Sequence, residues 1–215
     1  MSLVRIAISA CLLVLTLGAC QSAYYGALET VGIEKREVLV DRVATARKAQ
    51  AQAQEAYVDA LDAFRAVVAF DGGDLERTYN RLRGKAEGAR EQASALGGRI
   101  DAVESVANAL FKEWEAELAQ YRDASLRARS REQLAQTKAR SAQVLAAMRR
   151  AQASFEPALA RLEDQVLFLK HNLNASAIGS IRDELPRVQA DADRLKRDIE
   201  AAVAEADRFL AEFGK

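Results

Sequence analysis

The chain has 215 residues, 31 basic and 31 acidic side chains, one histidine, two cysteines and two prolines. So even a balance provides no basic stripe for a nucleic-acid backbone and no strongly cationic face for anionic lipid. Abundant Ala, Glu, Arg, Gln and Leu with few aromatics predict helix throughout, in one domain of about 190 residues.

Residues 1–19 read as a signal peptide: Arg5 is the lone charge, Ile6 to Leu17 the apolar core, and Leu17-Gly18-Ala19-Cys20 a lipoprotein processing site. The apolar run is too short to span a bilayer as a permanent helix. Cys20 is the expected lipidation site and first mature residue; an ordinary secretory signal or a short anchor with an accidental cysteine is the competing reading. Cys11 leaves with the signal, so no disulfide is available to the mature chain. Loss of Arg5 leaves 30 basic against 31 acidic residues, a net charge of about −1. Residues 20–33 form the expected lipidated tether, and Tyr24 and Tyr25 have side chains suited to a headgroup interface or to packing beneath the fold.

Residues 34–215 are the expected helical domain. A first helix carries its stripe at Leu39, Val43, Ala46, Ala53, Ala60, Phe64 and Val67, flanked by Tyr57 and Leu61. Asp71-Gly72-Gly73-Asp74 ends it and offers Asp74 as the next N-cap. The second helix alternates steps of four and three from Leu75 through Tyr79, Leu82, Leu96, Ile100 and Val103 to Leu110 and Trp114, which is coiled-coil spacing. A loop over about Arg122 to Arg129 is predicted to precede a third helix opened by a Ser130–Gln133 capping box. That helix reads Leu134, Val144, Met148, Ala151, Phe155, Leu162 and Leu169, widened by Leu145, Leu159, Val166 and Leu173. Residues Asn172 to Ser176 separate it from a fourth, with Ile178, Ile181, Val188, Leu195, Ile199 and Phe209 on its seam. Pro157 and Pro186 are expected to kink their helices or reset their starts. Short connections force antiparallel neighbours, so the fold class is all-α: an elongated up-down-up-down four-helix bundle.

Two ends of that bundle gather polar residues. The distal tip should bring Asp71 and Asp74 against Lys170, His171, Asn172 and Asn174, either as a structural network of caps or as a partner-binding site. The end nearest the tether should gather Tyr24, Tyr25, Lys35, Arg36 and Arg42, with Glu113, Trp114 and loop residues Arg127, Arg129 and Arg131, as a membrane-proximal surface or as ordinary salt bridging. His171 has no second histidine or cysteine to join it, so neither a metal site nor a catalytic residue is assigned, and no cofactor is expected.

Five stretches carry a resemblance: Tyr24-Tyr25, Lys35 to Val43, Asp71 to Glu76, Leu110 to Trp114, and VLFLKHNLNASAI at 166–178. They resemble a family of small proteobacterial lipoproteins of unknown function. The resemblance implies a helical lipoprotein of the Gram-negative envelope, and Gln21 after the lipidated cysteine implies sorting to the periplasmic face of the outer membrane. It implies no catalytic residue. Some relatives carry a DNA-repair ATPase label, from which this chain departs: it has no Gly-rich phosphate loop ending in Lys-Ser or Lys-Thr. The expected function is therefore a non-enzymatic, lipid-anchored scaffold or adaptor, joined to the membrane through Cys20 and to an envelope protein partner. A ligand- or lipid-binding module with a groove at the proline level is the alternative, and a cell-wall hydrolase ranks last.

Overall fold

Apolar residues recurring at steps of three and four form four long helices in the computed structural model, which describes residues 34–214. These are α1 (Lys35–Val68), α2 (Leu75–Leu118), α3 (Ala124–His171) and α4 (Ala175–Phe213), with no strand among the described residues. Each helix packs against its chain neighbours, and α1 also packs against α4, closing an antiparallel bundle. At 1.5 Å per residue, the 34-residue α1 is about 51 Å long and the 48-residue α3 about 72 Å.

Asp74 takes the N–H of Arg77 at 2.9 Å to start α2, and Asn174 takes that of Ala177 at 3.0 Å to start α4. Gly72 and Gly73, at φ +153° and +103°, make the turn after α1, where a side chain would be strained. The seam residues are buried as expected: Leu39, Phe64, Leu82, Leu96, Ile100, Leu162, Leu195 and Ile199 all lie in the core. Leu173 is a correction, because it sits in the α3–α4 turn and is exposed.

The start of α3 is another. Helix begins at Ala124, capped by Asp123, whose carboxylate accepts from Ser125 N and Leu126 N at 2.7 and 3.0 Å. Ser130 is therefore inside the helix, and Arg127, Arg129 and Arg131 are helical rather than loop residues. Asp123 wins because it directly follows the turn and satisfies two orphan N–H groups at once. Ser130 Oγ instead accepts the Trp114 indole N–H at 2.8 Å across the α2–α3 pair.

Neither proline resets a helix; α3 and α4 run through Pro157 and Pro186. Both rings face solvent, as do Ala153 and Arg182, whose carbonyls lose the in-helix donor, so water can replace it.

The core is divided. A distal cluster runs from Ala49 to Val68 on α1 and includes Leu96, Leu162 and Ile199, while a proximal one includes Leu39, Ile100, Met148 and Phe209. Between them lies Gln50, fully buried, whose Nε2 donates to the Met148 carbonyl of α3 at 3.2 Å and whose Oε1 has no protein partner. Tyr57 makes a second diagonal contact, donating to Ala158 O at 3.4 Å.

Candidate functional site

The distal end is built by two turns. Arg182 of α4 donates to Val68 O at 3.2 Å, tying the end of α1 to the start of α4, so the Asp71–Asp74 and Asn172–Asn174 turns share one end of the bundle. Their side chains do not form the expected network. Asp74 caps α2 and pairs with Arg77, Asn172 Nδ2 donates to Phe168 O at 2.9 Å, and Asn174 caps α4. No hydrogen bond or ion pair joins one turn's candidate residues to the other's among the described residues. The reason is local: a donor three or four residues away is reached at little entropic cost, so each cap is satisfied within its own turn. Asp71, Lys170 and His171 stay exposed.

Three large apolar side chains lie beside them. Leu167 is 60% exposed, Phe168 41% and Leu173 36%, on the last turn of α3 and in the loop after it. Leu169, between them, is fully buried. The periodic reading already leaves Leu167 and Phe168 off the core stripe; their wasted apolar surface is the signal that could have marked the place. The distal tip therefore combines exposed apolar side chains with exposed Lys170 and His171.

At the opposite end Lys35 pairs with Glu113 at 3.1 Å, and Arg36 donates to Phe213 O at 3.0 Å while lying 5.9 Å from that ring's centre. Phe213 stacks on Phe209 at 4.7 Å. Arg42 is half-buried on the same stretch of α1. Lys35, Arg36, Glu113 and Trp114 are thus brought together as expected. Cys20, Tyr24 and Tyr25 lie outside the described residues. A cavity of about 1010 Å³ opens here, a feature the sequence did not announce, since it depends on how level the helices end.

Near the proline level, a cleft of about 360 Å³ lies between α2 and α3, lined by Arg90, Arg149, Gln152 and Phe155 among others. Its cations are already committed. Arg90 holds Glu163 and Glu156 at 2.6–2.7 Å, and Arg149 holds Asp101 and Glu104. Those hydrogen bonds raise both guanidinium pKa values further, outweighing the desolvation that opposes them. Among the described residues no group of three His, Cys, Asp or Glu could hold a metal ion, and no helix is long and apolar enough to cross a membrane.

The model of a family described as protein of unknown function matches residues 24–213. The chain belongs to this family, DUF2959. No curated protein and no solved structure matches it. The DUF2959 match spans all four helices and starts upstream of α1, at Tyr24.

Proposed function

We propose that this DUF2959 protein is a non-enzymatic scaffold or adaptor of the Gram-negative envelope, lipid-anchored on the periplasmic face of the outer membrane through Cys20. Its bundle acts as a spacer, and its distal tip engages an envelope protein partner. The observation that carries this reading is the exposure of Leu167, Phe168 and Leu173, at the end of the rod away from the chain's entry into α1. Burying such side chains against a partner gains roughly 25 cal/mol per Å² of apolar surface, which their exposure in the free chain forgoes. The sequence supports the anchor: Leu17-Gly18-Ala19-Cys20 follows an apolar run with one upstream charge.

Two variants test it. Cys20→Ser should abolish fatty-acid labelling and membrane fractionation while the bundle melts as before, because alkylation needs the thiol. Leu167→Ser with Phe168→Ser should abolish in-cell function, scored by rescue of a deletion strain, with a melt within a few degrees of wild type. Full rescue by the tip variant would reject the tip as the working surface.

A further inference from the structure

The four helices do not end level at the base of the bundle. Arg140 of α3 meets Glu212, one residue short of the end of α4, so Ala124–Ala139 runs on past α4 for about 24 Å. Lys35 meets Glu113 at the start of α1, and α2 continues to Leu118. The α2–α3 hairpin is therefore what reaches furthest at this end among the described residues. The chain also enters α1 at this end.

The outermost stretch of the hairpin carries a charge imbalance that the even overall balance conceals. From Ala119 to Arg131 there are four basic residues, Arg122, Arg127, Arg129 and Arg131, against one acidic residue, Asp123. The Asp123 carboxylate is engaged in capping α3. All four arginines are exposed, and none makes an ion pair or a side-chain hydrogen bond among the described residues. Elsewhere, by contrast, Arg47, Arg90, Arg149 and Arg161 each hold a carboxylate on a neighbouring helix. Ordinary salt bridging therefore does not account for these four cations. Upstream of Glu34 the chain has one acidic residue, Glu29, enough to offset one of the four charges. Glu117 and Glu132 stand behind, toward the bundle; Glu132 is about 12 Å along α3 from its start, so Arg122, Arg127 and Arg129 lie outermost. Tyr121, 38% exposed, and Leu126, 50% exposed, put apolar surface among them.

We infer that this hairpin end rests on an anionic lipid surface, with its arginines against headgroup phosphates and Tyr121 and Leu126 at the interface. Charge complementarity is the first support. Each Lys or Arg close to an anionic bilayer strengthens attachment about fivefold, an effect that fades beyond a Debye length of about 8 Å in physiological salt. Arrangement is the second. Arg127 and Arg131 share one face of α3 and Arg129 lies on the other, so a peptide gripping one side meets only part of the charge. A flat anionic sheet met end-on meets Arg122, Arg127 and Arg129 together. Composition is the third, because a phenol and a leucine among cations settle at a headgroup interface.

The inference takes its membrane from the lipid anchoring proposed above, whereas the contact is made by the hairpin itself. Lipid at Cys20 and arginines on the hairpin then give the rod two attachments at one end, which stands it on the membrane with the tip facing away.

The full chain, purified in detergent and reconstituted into vesicles, tests the contact. An environment-sensitive fluorescent residue at exposed Ala124 leaves Tyr121 and Leu126 in place. The vesicles are phosphatidylcholine alone or with about one-third phosphatidylglycerol, each with a headgroup nitroxide quencher. In protein that floats with the vesicles, quenching at Ala124 should be at least about twofold greater on the anionic ones. It should fall to the neutral level in about 1 M salt, where the Debye length is about 3 Å. The same fluorescent residue at exposed Val58, about 35 Å along α1 from its start, should report no difference. Arg127→Gln, Arg129→Gln and Arg131→Gln together should weaken the contact about 100-fold and abolish the difference, with a melt within a few degrees of wild type. Arg127→Lys, Arg129→Lys and Arg131→Lys together should keep it. Equal quenching on the two vesicle types, no quenching on either, or wild-type quenching in the glutamine variant each overturns the inference. Failure of the glutamine variant to rescue a deletion strain, with no difference between vesicles in the wild type, assigns the arginines to an acidic protein and overturns it too. The vesicle comparison can fail while Cys20→Ser still abolishes membrane fractionation, so the contact and the anchor are tested apart.

Discussion

Gln50 is a polar side chain in a place that favours an apolar one. It is fully buried between the two halves of the core, and its Oε1 has no protein partner. An unsatisfied buried acceptor costs about 1–3 kcal/mol, whereas the Nε2 bond to Met148 O contributes about 0.5–1.5. Met148 lies mid-helix, so its carbonyl keeps the helical N–H of α3 when Gln50 is removed. Gln50→Met is close in volume and flexible enough to fit the same channel, which keeps repacking below about 1.5 kcal/mol. The expected net effect is stabilisation by about 1 kcal/mol, or a melting temperature higher by about 2–4 °C for a bundle of this size. Thermal melts by circular dichroism and urea titrations with an unchanged m-value check it. Destabilisation by more than about 1 kcal/mol would refute the reasoning, and would mean that an internal water satisfies Oε1 or that Gln50 sets the α1–α3 register.

Tyr57 supplies a pH dependence. Burial, reinforced by the Asp191 carboxylate and opposed by Arg161, raises its phenol above the usual tyrosine value. The unfolded phenol ionises near pH 10 while the folded one stays neutral, so this stabilisation is complete below about pH 10 and is lost as pH climbs above it. Tyr57→Phe should flatten that alkaline limb by one proton in melts taken across it and cost about 1 kcal/mol at neutral pH. Asn174→Ala should cost about 1 kcal/mol in a urea titration because it removes the α4 cap, whereas Leu167→Ser, on the surface, should stay within about 0.5. Ser130→Ala should cost about 1–2 kcal/mol by leaving the half-buried Trp114 indole N–H unpaired, with helix content unchanged because Asp123 holds the start of α3.

The bundle was legible because its seams obey one period over long stretches: Leu82, Leu96, Ile100 and Val103 on α2 could bury together only on a helix. The α2 start was legible because two positive-φ glycines and an acidic cap sit together. The α3 start was not. Ser130-x-x-Gln133 matches a capping box, and only the packed structure reveals that Ser130 faces Trp114, sixteen residues away. At the tip, sequence located the residues but not their bonds, because whether Asp74 pairs across turns or caps its own helix is decided by distances of a few ångströms. Leu167 and Phe168 stood inside an apolar run, VLFL, in which sequence separates the buried Leu169 from its exposed neighbours only by phase. The basal cavity depends on the relative heights of four helix ends, which no local pattern encodes.

Site-specific photo-crosslinking in intact cells tests the scaffold reading most directly, with the photoreactive residue at Phe168 on the tip and, as control, at exposed Glu87 on α2, about three turns from the tip. The expected result is one discrete protein adduct from position 168, none from position 87, and loss of the adduct when Cys20→Ser frees the rod from the membrane. No adduct at 168, or the same adducts from both positions, would contradict a tip-directed scaffold.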